Sequence, residues 1–222
     1  MSYRSDYYNS IVPEPDRVRL ADLKPSDKSY MPLGTQGKLI KIMQEDPTGG
    51  YALLGPSGWS KTTFLCALFR EAVCRHEDWM FHDSHTRYRK PELGWGGYTP
   101  VVMIDASRLM DQIERYKYHD GPVPIVTVGK IERMAYDGIH FTVILDEFEK
   151  IKKSETRMGW SYEIINACNK ARHLCQFIMS GNLKKADLKD TNQFLEGTFR
   201  RVEELTTTKE GKTHFWEFGD KQ

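Results

Sequence analysis

The sequence predicts an α/β fold with a parallel, doubly wound sheet and helices on both of its faces. Short apolar runs of strand length alternate along the chain with segments whose apolar residues recur at helical spacing. A glycine-rich turn joins one of these strands to the following helix, and a pair of acidic residues ends another strand. Since these strands are apolar without alternation, they are expected to be buried on both sides, as strands of parallel sheets are.

The chain before the glycine-rich turn is predicted to form an arm, a helix and a strand. Residues 1–34 carry Pro13, Pro15, Pro25 and Pro32 and show no sustained period, so they are expected to form an extended N-terminal arm. Residues 35–222 then form one α/β domain. Within it, residues 35–45 have helical spacing, 51–54 form a short buried strand, and 62–75 repeat one apolar helical face.

The second half of the chain repeats the alternation of strand and helix after an insertion. Residues 76–99 show no convincing period and mix aromatic with basic residues. After them, strands are predicted at 100–105, 140–146, 176–180 and 213–218, and helices at 108–118, at 128–136 and in a segment ending near residue 172.

Composition favours a soluble globular protein and gives no general sign of a nucleic-acid partner. The formal net charge is +1, from 32 basic and 31 acidic residues, so any DNA binding must come from local patches. No apolar run approaches the roughly 20 residues of a membrane span, and the N-terminus lacks the apolar region of a secretory signal. We therefore expect a cytoplasmic protein without membrane association.

The four cysteines are expected to be reduced thiols, because they form no CxxC pair and no dense disulfide framework. An alternative places Cys74 in a metal cluster with His76, His82 and His85. These intervals match no common zinc pattern, so no structural metal is expected there.

The turn GPSGWSKTT at residues 55–63 has the form of a phosphate loop. In such a loop, consecutive backbone N–H groups at a helix N-terminus surround the phosphates of a nucleotide. Lys61 would neutralise the β- and γ-phosphates of ATP, and the Thr62 hydroxyl would coordinate Mg²⁺. Ser60 departs from the usual pattern, which has glycine there, and a side chain at this position would crowd or retune the loop. The candidate nucleotide contacts are Gly55, Pro56, Ser57, Gly58, Trp59, Ser60, Lys61, Thr62 and Thr63.

The acidic pair Asp146 and Glu147 follows the apolar strand at 141–145, which is the form of a Walker B strand. Asp146 would hold Mg²⁺ through water, and Glu147 would polarise the attacking water as general base. In isolation, two acids at a strand end more often are solvated or cap the next helix. The order of the two motifs, with about 85 residues between them, favours a P-loop NTPase.

Residues 35–218 resemble the AAA+ superfamily and, within it, DnaC-type helicase loaders and IstB-type transposition ATPases. The phrases GPSGWSKTTFL (55–65) and VILDEF (143–148) carry the resemblance. It implies that residues 35–222 form an AAA+ ATP-binding domain, which has no room after it for a C-terminal helical lid. It also implies a sensor role for Asn182 in FIMSGN (177–182) and an arginine finger at Arg201 in GTFRRV (197–202). Locally, Asn182 also fits a plain turn, and Arg200 with Arg201 also fits a solvated helix face.

The resemblance implies an oligomeric ATPase that loads or remodels a partner protein, a replicative helicase or a transposase, on DNA. The alternatives are a P-loop kinase or nucleotidase acting on a small substrate, and an interaction module that binds ATP but has lost hydrolysis through Ser60. For DNA contact the chain offers the 76–99 insertion and a basic run, although both also fit solvated loops. The basic run consists of Lys150, Lys152, Lys153 and Arg157.

Overall fold

The computed structural model describes residues 8–9, 11–12, 17–75, 100–151, 154–191 and 194–219. The predicted insertion at 76–99 lies outside these residues, as do His76, His82, His85, Lys152 and Lys153. The strands are β1 (Tyr51–Leu54), β2 (Val101–Asp105), β3 (Phe141–Asp146), β4 (Cys175–Gly181) and β5 (Phe215–Glu217). The helices are α1 (Leu33–Glu45), α2 (Lys61–Arg75), α3 (Ala106–Tyr118), α4 (Val128–Tyr136), α5 (Glu155–Lys170) and α6 (Thr198–Leu205).

The five strands form one parallel sheet in the order β2-β3-β4-β1-β5. Strand β4 lies between β1 and β3, and all seven of its residues are buried. Leu54 at the end of β1 is in register with Gly181 at the end of β4, and Leu145 of β3 is in register with Met179. The carboxyl ends of β1, β4 and β3 therefore meet at one edge of the sheet, which is where ligands of open α/β sheets bind.

Two hydrophobic cores cover the two faces of the sheet. Leu53 and Ile144 belong to one core, which also contains α2, whereas Leu54 and Leu145 belong to the other, which also contains α5. This division follows from the strand period of two, because neighbouring residues point to opposite faces. The predicted doubly wound sheet with helices on both faces is confirmed.

The described part of the N-terminal arm packs on the α2 side of the sheet. Leu20, Leu23 and Met31 are buried in the same core as α2. The side-chain amide of Gln36 in α1 holds the arm, since it donates to the Met31 carbonyl at 2.6 Å and accepts from the Ser26 N–H at 2.9 Å. The arm thus shares the core of the domain, and the division between residues 34 and 35 stays a prediction.

The predicted element boundaries shift where a side chain or turn caps an element. Helix α3 begins at Ala106, two residues before the predicted start, because Asp105 Oδ1 accepts hydrogen bonds from the N–H groups of Ser107 and Arg108. Strand β5 covers three residues instead of six, since Thr213 pairs antiparallel with Thr207.

The sequence predicts no disulfide, no structural metal, no membrane span and no C-terminal helical lid, and the structure bears on these points only for the residues that it describes. All four cysteines are free thiols. Among the described residues, no group of His, Cys, Asp and Glu could hold a metal ion by itself. Over the same residues, no helix is long and apolar enough to span a membrane, and no helix follows α6 as far as residue 219.

Candidate functional site

The loop between β1 and α2 has a backbone suited to glycine at three positions. Gly55, Gly58 and Ser60 have φ angles of 143°, 82° and 56°. The value at Ser60 lies in the left-handed region, which L-residues other than glycine enter at a cost. The serine therefore adopts the conformation for which the usual motif has glycine, and the strain falls on the residue immediately before α2.

The loop is held from both sides by neighbouring segments. The Tyr30 N–H of the arm donates to the Gly58 carbonyl at 3.0 Å, and a Cβ on Gly58 would lie 2.5 Å from the Tyr30 ring. On the other side, a Cβ on Gly55 would lie 2.8 Å from Phe218 Cβ. Trp59 is buried and stacks on Phe218 with ring centroids 5.6 Å apart. Both glycines therefore permit contacts that a larger residue would block.

Lys61, at the start of α2, is buried, and its ammonium group donates hydrogen bonds to three oxygen atoms. Its Nζ donates to the carbonyls of Gly55 and Pro56, both at 2.7 Å, and to Asn182 Oδ1 at 2.8 Å. Burial lowers the pKa of the Lys61 ammonium, and the nearby carboxylates of Glu149 and Asp146 partly offset this. An ammonium has three donors, so each is engaged in this state.

The two residues predicted to hold Mg²⁺ are in direct contact. Thr62 Oγ1 donates to Asp146 Oδ2 at 3.0 Å, and the hydroxyl of Ser180 donates to Asp146 Oδ1. The Glu147 N–H also donates to Asp146 Oδ1, at 2.9 Å. A hydroxyl and a carboxylate are the hard oxygen ligands that Mg²⁺ prefers, so this pair fits the ion. Ser180, at the tip of β4, was not among the predicted site residues.

Glu147, the predicted general base, faces Asp105 and Lys150. Its backbone is left-handed, with φ 53°, and its carboxylate forms an ion pair with Lys150 Nζ. A hydrogen bond with Asp105 raises the pKa of Glu147, against the lowering effect of Lys150. Burial raises the pKa of Asp105, but its hydrogen bonds with Glu147 and Ser107 outweigh this and leave it lowered. The contact arises because Asp105 is in register with Asp146 across β2 and β3.

Asn182, which follows β4, forms two hydrogen bonds with the carboxylate of Glu149, a residue that was not among the predicted site residues. Glu149 Oε2 accepts from the Asn182 N–H at 2.8 Å, and Glu149 Oε1 accepts from Asn182 Nδ2 at 2.7 Å. The amide oxygen of Asn182 faces Lys61. Lys61, Asn182 and Glu149 therefore form one hydrogen-bonded chain from the start of α2, through the end of β4, to the turn after β3.

Arg201 lies on α6 and contacts α5 and its own helix. Its Nη1 donates to Glu204 Oε2 at 2.9 Å, and it also bonds Tyr162, contacts that raise its pKa. Arg200 and Asn169 share the same Glu204 carboxylate. None of these partners belongs to the loop at 55–62. The structure of a single chain therefore does not bring Arg201 to that loop.

The two described residues of the basic run offered for DNA contact, Lys150 and Arg157, both form ion pairs within the chain. Arg157 is buried, and its guanidinium donates to Asp111 at 2.8 Å and to Glu114 on α3. Lys150 pairs with Glu147. The interpretation of Arg157 as a DNA-contacting residue was wrong, because two carboxylates one turn apart on α3 draw it into the interface between α3 and α5.

No protein-family model matches the chain, and no curated protein sequence matches it. Among solved structures, AMPPCP-bound DnaA from Aquifex aeolicus is 14% identical with a TM-score of 0.53 over 86% of this chain and 48% of that chain. The DnaC helicase loader is 14% identical with a TM-score of 0.52 over 87% of this chain and 96% of the loader. A DNA replication initiation factor is 14% identical with a TM-score of 0.50, over 88% and 50% of the two chains.

The chain spans about half the length of the DnaA chain that it matches and nearly the whole of the loader. These likenesses show a shared P-loop NTPase fold. The predicted resemblance to DnaC-type helicase loaders is thereby confirmed at the level of the fold.

Proposed function

We propose that this chain is a Mg²⁺-dependent ATPase of the AAA+ type that acts as an accessory protein in DNA replication. The observation that carries the proposal is the meeting of Lys61, Thr62, Asp146 and Asn182 at the carboxyl ends of three adjacent strands. Two of these residues lie more than a hundred positions apart in the chain, at 61 and 182. A buried cation thus lies beside an amide and a hydroxyl–carboxylate pair of the kind that Mg²⁺ prefers, an arrangement that supports binding of a nucleoside triphosphate.

The residues around the loop have separable roles in this proposal. The N–H groups of the loop and the start of α2 face incoming phosphates, and Lys61 exchanges its carbonyl partners for phosphate oxygens. Thr62 and Asp146 hold Mg²⁺, which when bound neutralises charge on the phosphates. Asn182 orients a water by its amide, and Glu147 accepts the proton of that water once its carboxylate turns from Lys150.

The decisive experiment compares two lysines in similar settings. Lys61→Ala should weaken ATP binding about 10- to 100-fold, the usual value of a charged hydrogen bond. Lys130 is the matched control, because it also donates to two consecutive carbonyls, those of Pro124 and Ile125, and burial also lowers its pKa. Titration calorimetry with ATP and Mg²⁺ should show normal affinity for Lys130→Ala. Equal affinity of wild type and Lys61→Ala would refute the site.

A second candidate is an ATP-dependent interaction module with restrained hydrolysis. The observation favouring it is the pairing of Glu147 with Lys150 and Asp105, which directs the carboxylate of the predicted base to the tip of β2. Glu147→Gln decides between the two functions. If the variant binds ATP normally and loses turnover, the chain is an ATPase. If wild type binds ATP and its turnover already equals that of Glu147→Gln, the interaction module is the better description.

Assembly and partners follow from the same proposal. Arg201 lies away from the loop of its own chain, so a role in catalysis requires that it enter the site of a neighbouring subunit. We propose a homo-oligomer in which Arg201 stabilises charge on the phosphates bound by the next chain. The DnaC structure that resembles this chain is a helicase loader. A replicative helicase is therefore the proposed protein partner, with a transposase as the alternative, and both act on DNA. Light scattering after size exclusion, with and without ATP and single-stranded DNA, tests the assembly.

A further inference from the structure

The turn after β3 carries a glutamate that no part of the phosphate-loop or Walker B pattern requires. Glu149 belongs to the turn Phe148–Lys150, and the neighbouring Phe148 is fully buried and stacks on Phe194 with ring centroids 5.1 Å apart. The turn is therefore anchored. Gly181 allows the carboxylate to approach β4, because a Cβ on Gly181 would lie only 3.1 Å from Glu149 Oε2.

The two hydrogen bonds from Asn182 to Glu149 determine the direction of the Asn182 amide. Because an anionic carboxylate only accepts hydrogen bonds, the Nδ2 of Asn182 must face Glu149 and its Oδ1 must face away. That oxygen then lies 2.8 Å from Lys61 Nζ. The same carboxylate grips the Asn182 main chain, so neither the backbone nor the side chain can turn without breaking a charge-assisted bond.

We infer that Glu149 is a positioning residue that fixes Asn182 and thereby the resting place of Lys61. The inference rests on the proposed function. When phosphate oxygens replace the carbonyl partners of Lys61, Glu149 keeps the Asn182 oxygen aimed at the space beside the ammonium. In that position the Asn182 oxygen accepts a hydrogen bond from the attacking water. Loss of Glu149 frees the amide to rotate, so that water is oriented in only part of the bound complexes.

The first test is a double-mutant cycle on ATP hydrolysis. Glu149→Ala should lower kcat about 10-fold and change KM less than about 3-fold, because the residue acts on orientation and not on binding. Asn182→Ala should lower kcat similarly, and the double variant should be no slower than Asn182→Ala alone. Glu149→Gln keeps one acceptor oxygen and should recover part of the rate. Glu203→Ala is the matched control, because Glu203 on α6 also pairs with a lysine, Lys185, and its loss should leave kcat unchanged.

The second test needs no nucleotide turnover. In the nucleotide-free protein, the side-chain NH₂ signal of Asn182, identified by its loss in Asn182→Ala, should exchange with solvent about 10-fold faster in Glu149→Ala. Multiplied rate losses in the double variant, or unchanged amide exchange, would overturn the inference. If wild type neither binds nor hydrolyses ATP, the proposed function fails instead, and the amide measurement still decides whether Glu149 positions Asn182.

Discussion

Replacing Ser60 by glycine should stabilise the protein, although it removes a side chain from the candidate site. Ser60 has φ 56°, and a non-glycine residue in this region costs about 1 to 2 kcal/mol. Glycine relieves that strain but gains freedom in the unfolded chain, which costs about 0.4 to 1 kcal/mol. The free energy of unfolding should therefore rise by about 0.8 kcal/mol, the difference between the midpoints of these two ranges.

The measurement is equilibrium unfolding in urea at constant m-value, supported by the melting temperature. For a chain of this length, the change corresponds to an increase in Tm of about 1 to 4 °C. Asp120→Gly is a control away from the loop. Asp120 has φ 51° and is exposed in the turn after α3, so glycine should raise the free energy of unfolding there by relieving the same kind of backbone strain. Gly58→Ala should have the opposite effect, since its Cβ would meet the Tyr30 ring.

The outcome that refutes this reasoning is a loss of stability in Ser60→Gly together with a gain in Asp120→Gly. It would mean that the Ser60 hydroxyl makes a contact worth more than the backbone strain. The same variant tests the loop in function. If the serine restrains the loop, glycine should speed nucleotide exchange measured by stopped flow, and an unchanged rate would show that serine is tolerated there.

Three further predictions follow from buried charges and from the proposed assembly. Burial lowers the pKa of His214 despite Asp46, so the unfolded state binds more protons below about pH 6.5 and the free energy of unfolding should fall there. His214→Phe, which keeps the ring, should flatten that dependence in urea unfolding at pH 5.5 and 7.5, whereas an equal slope would contradict the assignment. Arg157→Ala should cost about 1 to 2 kcal/mol by the same method, because it removes a buried side-chain stem and two ion pairs whose carboxylates are half exposed, and a loss below about 0.5 kcal/mol would show the pairs to be unimportant. Mixing Arg201→Ala with Lys61→Ala should restore ATP hydrolysis at hybrid interfaces, with a gain on the order of 10³-fold per finger, and inactivity in a co-assembled mixture would argue against Arg201 acting in trans.

The individual strands and the phosphate loop were predictable because they are local patterns. Four apolar residues entering a glycine-rich turn identify β1 without reference to the rest of the chain. Strand order is not local, because the position of β4 between β1 and β3 depends on pairings between distant segments. The contact of Asn182 with Lys61 follows from that order, so the phosphate-loop motif predicted Lys61 in the site, whereas Asn182 was predicted there only through the family resemblance.

The missed residues are those whose role depends on orientation. Glu149 looks like an exposed acid in a charged turn, and only the structure shows both of its oxygens on Asn182. Asp105 was predicted only as the last residue of the strand at 100–105, whereas the structure shows that it caps α3 and that its register with Asp146 sets it beside Glu147. Arg157 was predicted on the surface because it belongs to a basic run. Its ion pairs with Asp111 and Glu114 of α3 depend on how two helices pack, which the sequence of the run does not show.

The aromatic stack of Trp59, Phe218 and Trp216 gives the protein an intrinsic fluorescence signal at the phosphate loop. Trp59 is part of the loop itself, and its ring lies on Phe218, which in turn stacks on Trp216. Indole emission depends on the rings and dipoles around it, so any movement of the loop should change the fluorescence of the unlabelled protein. Trp160, the remaining tryptophan in the described part of the chain, packs against Tyr118 and Lys117 of α3. Trp59→Phe would keep an aromatic ring in the loop and remove the emission of Trp59, so the part of an ATP-induced change that this variant loses belongs to the loop.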